Sequence, residues 1–484
     1  MAVKKKTKEI PPIDLNPLNS DQRAAFDELR SFIADKEDDT VYVLKGWAGT
    51  GKTYCVSTLV RYVLETMHPK HNWYKIGVTG PTNKSVRVLK RTSGLKNPRI
   101  LFQTIHKLLG LKEKITDDGK QEFVSEGDFK PQIHSVKLLI IDEVSMLNDD
   151  LFQKILPFRD KIKIICMGDP AQIPPVGRPD CIPFREELAD FYRIKTLSLK
   201  TIMRQKEGNA IIESSVAIRS DLEAESNPIP PVTKVNEAGE GIEFLNLNLP
   251  EIRKGFSEIL ATYYRTEAFK KDSEYVKIIA WRNKTVETMN SLIRGVIFGE
   301  ESKTSKILIG ENLIANNPII QEGVVVLTTN EEFTVETFDI KDEELRFVIS
   351  DNPDEEPYEI KIKYYEALVT YLDDKDEVVK TWIEILHEDS EMEFKKLLMI
   401  MKRRAILKKG ADKSWVVYYN LLRRYADVGY SYSITCHKSQ GSTYNTTFVL
   451  EDDIDANWNV VERNRIKYTA YSRPSKKLYV LKRF

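Results

Sequence analysis

The stretch GWAGTGKT, residues 46–53, follows the apolar run VYVL at 41–44 and opens TYCVSTLVRYVLETM at 53–67, which has helical periodicity. A strand, a glycine-rich turn and a helix in that order form the setting of a phosphate-binding loop. Gly46, Gly49, Gly51, Lys52 and Thr53 meet the pattern G-x-x-x-x-G-K-[ST], with Trp47, Ala48 and Thr50 filling the turn. Glycines let backbone N–H groups fold around phosphate oxygens, and the helix adds its positive N-terminal end. In this pattern Lys52 reaches the β- and γ-phosphates and the Thr53 hydroxyl is a ligand for Mg2+.

From 41 to about 200, short β-branched runs alternate with helical patterns, which predicts an α/β domain around a parallel sheet. VYVL, KIGVTG (75–80), KLLIID (137–142) and KIKIICMGD (161–169) are the expected strands. Continuous runs such as LLII suit strands buried on both faces. KLLIIDEVSML ends its strand on Asp142 and Glu143. An Asp there can hold Mg2+, and the adjacent Glu can take a proton from an attacking water. Alone, such a pair is a solvated strand end; beside the glycine loop it is the second half of a phosphoryl-transfer site.

Farther along, KEKITDDGKQEFVSE (112–126) predicts a hairpin turning at Asp118-Gly119. Residues 205–270 read as helical and loop-rich, with a breaker cluster NPIPPV at 227–232. YVKIIAW (275–281) opens a second strand-and-helix region. Strand-like runs between 318 and 385 (IIQEGVVVLTT, FVIS, YEIKIKYYEALVTYL, VVKTWIEIL) predict a β-rich, barrel-like insertion. A mixed-charge helix, EMEFKKLLMIMKRRAILKKG (391–410), is expected to stop at Gly410, and Trp382, Trp415, Tyr418 and Tyr419 read as core of the insertion.

The 484 residues require several domains, and 41% hydrophobic with 30% charged residues is ordinary for a globular chain. With 73 basic and 73 acidic residues, bulk charge does not favour coating of nucleic acid. The charges are segregated, however: KSVRVLKRTSGLKNPR (84–99) is basic and SDNPDEEPYE (350–359) acidic, which leaves room for a local basic channel. Four scattered cysteines fit a reducing, cytoplasmic compartment. No apolar segment approaches the ~18 residues that span a bilayer, so no membrane partner is expected. MAVKKKTKEIPPI reads as part of a solvated basic tail over 1–14.

Six further segments follow in a fixed order: PTNKS (81–85), QTIHKL (103–108), DPAQIPPVG (169–177), MRQ (203–205), ITCHKSQGST (434–443) and YTAYSRP (468–474). With the glycine loop and the Asp-Glu pair, this series resembles the motif set of superfamily 1 DNA helicases, within them the RecD/Dda type of the 5′-to-3′ branch. The resemblance runs from LNSDQRAAF (18–26) to the final strand. It implies an α/β fold of two RecA-like parallel-sheet motor domains, with a hairpin pin and an SH3-like β-barrel tower inserted. The implied boundaries are 15–109 with 132–205 for the first motor domain, 110–131 for the pin, 206–317 with 426–484 for the second, and 318–425 for the tower.

The resemblance also implies ATP and Mg2+ as cofactors, bound between the motor domains. On it, Gln22 reads adenine, Gly46 to Thr53 cradle the phosphates, Thr53 and Asp142 hold the metal, and Glu143 activates water. Gln172 links the γ-phosphate to the DNA track, Arg204 and Arg473 close on that phosphate from the second domain, and Gly441 lies in a coupling motif. Pro81, Thr82, Asn83, Thr104 and His106 match DNA contacts of the first domain; Thr435, His437 and Lys438 match those of the second. Phe123 is the expected wedge at the duplex end. The implied activity is that of an ATP-dependent helicase and single-stranded DNA translocase at strand junctions, working as a monomer in replication, recombination or repair. Single-stranded-DNA-binding or replisome proteins are its expected partners.

The chain departs from the pattern at Trp47, where the family more often has a small residue or proline, and at Pro474 after Arg473. NEEFTVE (330–336) lacks the glycine of the usual N-G-[EQ] turn. None of these removes a reacting group. A GTPase would need N-K-x-D, but Asn83-Lys84 and Asn283-Lys284 are followed by Val86 and Val286 at the Asp position. A small-molecule kinase leaves the C-terminal arginine motif unexplained. A DNA-binding scaffold with a dead nucleotide site is opposed by intact Lys52, Thr53, Asp142, Glu143, Arg204 and Arg473.

Overall fold

The computed structural model describes residues 14–116, 121–125, 131–175, 180–203, 209–223, 233–321, 324–347, 356–373, 377–408 and 413–483. The tail at 1–13, the turn at Asp118-Gly119, Arg204, the NPIPPV cluster and Gly410 lie outside them. The chain divides into two compact units, Met1–Gly110 with Gly127–Asn209, and Leu111–Glu126 with Ala210–Phe484.

Strands β1 (Val41–Gly46), β2 (Lys75–Gly80) and β3 (Ile100–Thr104) precede the hairpin strands β4 (Leu111–Ile115) and β5 (Gln121–Ser125). β6 (Val136–Ile141), β7 (Lys163–Gly168) and β8 (Ile194–Leu199) follow. In the first unit, six strands pair in the order β3-β2-β6-β7-β1-β8, all parallel. The helix Ser20–Ala34 starts at a capping box in which Asn19 and Gln22 satisfy each other's backbone N–H groups. It packs Phe26 and Leu29 with Val56 and Leu59 of the helix Lys52–Tyr62 onto Ile140, Ile165 and Met167 of the sheet. Because β1 lies beside β7 and β7 beside β6, the loops leaving all three emerge on one sheet edge. Ligands of open parallel sheets bind at such carboxyl ends.

The second unit holds β9 (Lys234–Val235), β10 (Gly241–Asn246), β11 (Val276–Ala280), β12 (Asn312–Ala315), β13 (Ile319–Gln321), β14 (Val324–Leu327) and β15 (Glu332–Phe347). It continues with β16 (Tyr358–Leu372), β17 (Val378–Leu386), β18 (Val428–Tyr430), β19 (Ser433–Thr435), β20 (Tyr444–Leu450) and β21 (Pro474–Lys482). Its main sheet runs β19-β11-β20-β21-β10-β9, parallel except for β9 against β10. β10 lies in the region read as helical and loop-rich; its partner β21 comes from the far end of the chain, beyond the reach of local pattern.

An antiparallel sheet, β17-β16-β15-β12-β18, makes the β-rich insertion. It draws in β12 and β18, which flank the expected 318–425 span. The described pairings end at β17 and β18, with β13–β14 as a separate hairpin, so among the described residues they do not close a barrel. β15 is strongly acidic and was not expected as a strand. Its charged residues meet opposite charges directly across the ladder: Glu344 faces Lys361, and Arg346 faces Glu359. Trp382 is 46% exposed, and Trp415, Tyr418 and Tyr419 are half-buried and pack on one another, so these aromatics are not the sheet's core. Tyr365, Val369 and Ile383 take that place. The hairpin β4–β5 groups with the second unit although both its chain neighbours belong to the first.

One ion pair joins the parallel sheet to the antiparallel one, and a second ties the helix Asn283–Phe298 to the residue before β12. Lys277 of β11 donates to Glu332 of β15 at 2.7 Å and to the Ser431 carbonyl at 2.6 Å, and Arg294 pairs with Glu311. Removing one member of a buried pair strands the other without compensation. Lys277→Ala should therefore cost about 3–5 kcal/mol in urea unfolding of the full chain; a loss below about 1 kcal/mol would show that the pair does not hold the two sheets together.

Candidate nucleotide site and nucleic-acid contacts

The glycine loop leaves β1 and turns on Gly49 (φ 83°) and Gly51 (φ 77°) into the helix Lys52–Tyr62. A Cβ at Gly51 would also stand 2.4 Å from Gln22 Nε2, so only glycine fits there. Gln22 donates from that nitrogen to the Thr50 carbonyl at 3.0 Å, while its Oε1 accepts from the Asn19 N–H. Both ends of the side chain expected to read adenine are thus engaged in bracing the loop. Thr50 is tied to the Trp47 carbonyl through its N–H and its hydroxyl. The Lys52 amino group rests on the carbonyls of Gly46 and Trp47, inside the loop's own curve.

Asp142 follows β6 and gives its N–H to the Thr79 carbonyl. Burial, with the Glu143 carboxylate beside it, pushes its carboxyl up to about 7, against the pull of Lys52. Glu143 holds φ 51° and donates its N–H to Asp142 Oδ1, so the two acids are set by a strained turn. Asp169 follows β7. Its two oxygens accept from Ala48 N–H and Ala171 N–H, both at 3.0 Å, which ties the glycine loop to the loop of Gln172. Gln172 is buried, and its Oε1 has no partner among the described residues. Met203 donates to the Gly49 carbonyl at 2.8 Å, and Asp21 holds the N–H groups of Lys200 and Thr201. Met203 belongs to the first unit.

Thr82 caps the helix Asn83–Ser93 in a capping box with Ser85, and Pro81 leads into it. Thr104 ends β3, an edge strand, and caps the short helix Ile105–Leu108 by accepting from Lys107 N–H. In the second unit Thr435 ends β19, again an edge strand, and caps Cys436–Ser439 by accepting from Lys438 N–H. The same T-x-H-K turn therefore closes an edge strand in each unit. Burial lowers the basicity of His106 and His437 and keeps both imidazoles neutral at pH 7. Lys438, also depressed by burial, donates to Asn316 Oδ1 at 2.9 Å. Arg473 is buried and donates to the Thr469 and Ser442 carbonyls and to Ser472 Oγ, which joins it to the turn at Gly441 (φ 72°). Phe123 stands on β5 opposite Glu113 and is 48% exposed.

Residues 17–228 match a family model described as an AAA domain, and residues 430–481 one described as a UvrD-like helicase C-terminal domain. The ATP-dependent DNA helicase dda of Enterobacteria phage T4 is 25% identical over 464 residues, covering 89% of this chain and 92% of its own. These matches support a superfamily 1 helicase of the RecD/Dda type as what this chain is similar to. An uncharacterised protein of Acanthamoeba polyphaga mimivirus is 25% identical over 95% of this chain and 99% of its own. A Pif1 helicase from Candida albicans covers 96% of this chain and 94% of its own, with a TM-score of 0.47 and 15% identity.

Sequence reading missed Asp169 in this helicase chain except as a strand end. The register was the available signal: Lys45 pairs with Gly168, so the next residues, Gly46 and Asp169, fall side by side. Asp21 was also missed, because its partners lie about 180 residues away in sequence. Hydrogen bonds to a buried carboxylate are worth about 1.5–3 kcal/mol each. Asp169→Ala should weaken binding of a fluorescent ATP analogue at least tenfold while far-ultraviolet circular dichroism stays native. Unchanged affinity would remove Asp169 from the nucleotide site.

Proposed function

We propose that this chain is an ATP-dependent DNA helicase that travels 5′-to-3′ along one strand and splits duplex at a single/double-strand junction. The observation that carries the reading is the paired T-x-H-K turn: one copy sits in the unit with the nucleotide loop, the other in the unit matching a UvrD-like helicase C-terminal domain. A motor needs two grips on its track. Hydroxyls, neutral imidazoles and capped helix ends hold phosphates without reading sequence. Thr82, Asn83, Thr104 and His106 form one grip in this reading, and Thr435, His437 and Lys438 the other.

At the nucleotide, Lys52 turns from the Gly46 and Trp47 carbonyls to the β- and γ-phosphates, and Glu143 takes the proton of the attacking water. Thr53 and Asp142 would hold Mg2+, which supplies charge stabilisation for the transferred phosphoryl group. Their hard oxygen donors, and a carboxyl that keeps its proton to about pH 7 without a cation, fit a dication. Gln172 is assigned to the link between the γ-phosphate and the DNA track, and Arg204 and Arg473 are the cations assigned to the developing charge. Phe123 is the wedge of a pin hairpin, β4–β5, braced by the β-rich insertion as an SH3-like tower. Single-stranded DNA and forks are the substrates. We place its work in the cytoplasm as a monomer, with single-strand-binding or replisome proteins as partners.

ATP turnover should rise at least tenfold with single-stranded DNA, and Lys52→Ala should abolish it while DNA binding persists; turnover independent of DNA would defeat the motor reading. Forks with a 5′ tail should be unwound faster than forks with a 3′ tail, the reverse refuting the polarity. Phe123→Ala should lower unwinding more than translocation. A metal must displace the Asp142 proton, so Mg2+ affinity should rise as pH increases from 6 toward about 7 and then level off. A flat profile would separate Asp142 from the metal.

A further inference from the structure

The helix Glu391–Lys408 is apolar on two opposite sides. One side, Phe394, Leu397 and Met401, packs against Ile360 and Ile362 of β16. On the other, Met392 (69% exposed), Met399 (65%) and Ile406 (56%) recur every seven residues. At about 100° per residue these three fall within about 40° of arc and make a straight ridge roughly 21 Å long. Lys395 and Lys402 line one flank of the ridge, and Lys396 and Arg403 the other, all exposed. A solvated helix face has no use for three large apolar side chains in register.

We infer that this ridge docks an acidic amphipathic helix of a partner protein. An apolar seam on the partner would cover Met392, Met399 and Ile406, and Glu or Asp on both sides of that seam would meet the four bases, as flanking charges do in paired helices. Methionines adapt to the shape of such a seam. A nucleic-acid backbone would engage the bases and leave the apolar ridge uncovered. A second copy of the chain would set basic flanks against basic flanks.

The test uses the full chain and a fluorescein-labelled 21-residue synthetic helix, with leucines at heptad spacing flanked by glutamates, read by anisotropy at low salt. Binding should saturate, and both Met399→Asp/Ile406→Asp and Lys402→Glu/Arg403→Glu should weaken it at least tenfold. A lysine-flanked version of the peptide should prefer the Lys402→Glu/Arg403→Glu chain to the wild type. Unchanged circular dichroism and DNA-stimulated ATP turnover establish that the variants fold. Equal binding of a scrambled peptide, or no loss in either variant, overturns the proposal. So does an effect of the substitutions confined to single-stranded DNA affinity, anionic vesicle binding or self-association.

Discussion

The carboxylate of Asp169 fixes the geometry on which the nucleotide site depends. Its two oxygens each take one backbone N–H, from Ala48 in the glycine loop and from Ala171 in the next loop along the sheet edge. A buried carboxylate is tolerable only when such donors surround it. Each loop therefore needs the other in place to satisfy this charge. The parallel register puts the residue there, since β7 runs beside β1 with Gly168 opposite Lys45. Gln22 adds a second brace from the opposite side through Thr50, and Met203 a third through Gly49. The loop that has to close on phosphate is thus held by three separate segments before any ligand arrives, which lowers the ordering cost of binding.

Carboxylates order the second unit in the same way, with one instructive difference. Asp453 accepts from Trp281 N–H, Arg282 N–H and the Thr285 hydroxyl at the start of the helix Asn283–Phe298. Burial opposes its charge, but the Thr285 and Arg282 bonds outweigh that and hold the carboxyl below its usual range. The equivalent helix of the first unit, Asn83–Ser93, also begins N-K-[ST]-V after a central strand, yet is capped by the hydroxyls of Thr82 and Ser85. Among the described residues, the positive end of one helix is neutralised by a carboxylate and that of the other is capped by hydroxyls.

The parallel sheet and its phosphate loop were legible because both are local: β-branched runs, glycines at fixed offsets and acids at a strand end need no distant partner to be read. The acids could likewise be placed by their position at a strand end, whereas the T-x-H-K turns were found only through the resemblance to family motifs. Elements stabilised by distant residues were not legible. β15 looks like an acidic loop until Lys361 and Glu359 are set opposite Glu344 and Arg346. β10 has only six residues and depends on β21. Asp21 and Asp169 carry no pattern of their own, and their roles exist only in the register. The aromatics near 415–419 were assigned to the core because bulk suggests burial, but they lie half-buried against one another while Tyr365, Val369 and Ile383 fill the sheet.

Arg473 shows how the second unit can transmit a local change. Three of its donors are committed, to Thr469, Ser442 and Ser472. The helix that carries it, Val460–Tyr471, is anchored by Lys467 and Tyr471 to Glu451, a buried carboxylate whose charge Lys467 and Lys482 preserve against burial. That anchor resists rotation of the helix, so the softer connection is the bond from Arg473 to the Ser442 carbonyl. Ser442 follows Gly441, which bends at positive φ, and the T-x-H-K turn lies only a few residues upstream. A displaced guanidinium would release or pull that carbonyl, and the glycine hinge can yield where a substituted residue could not. One rigid anchor and one compliant bond are what a lever needs to carry a change at Arg473 to the T-x-H-K turn.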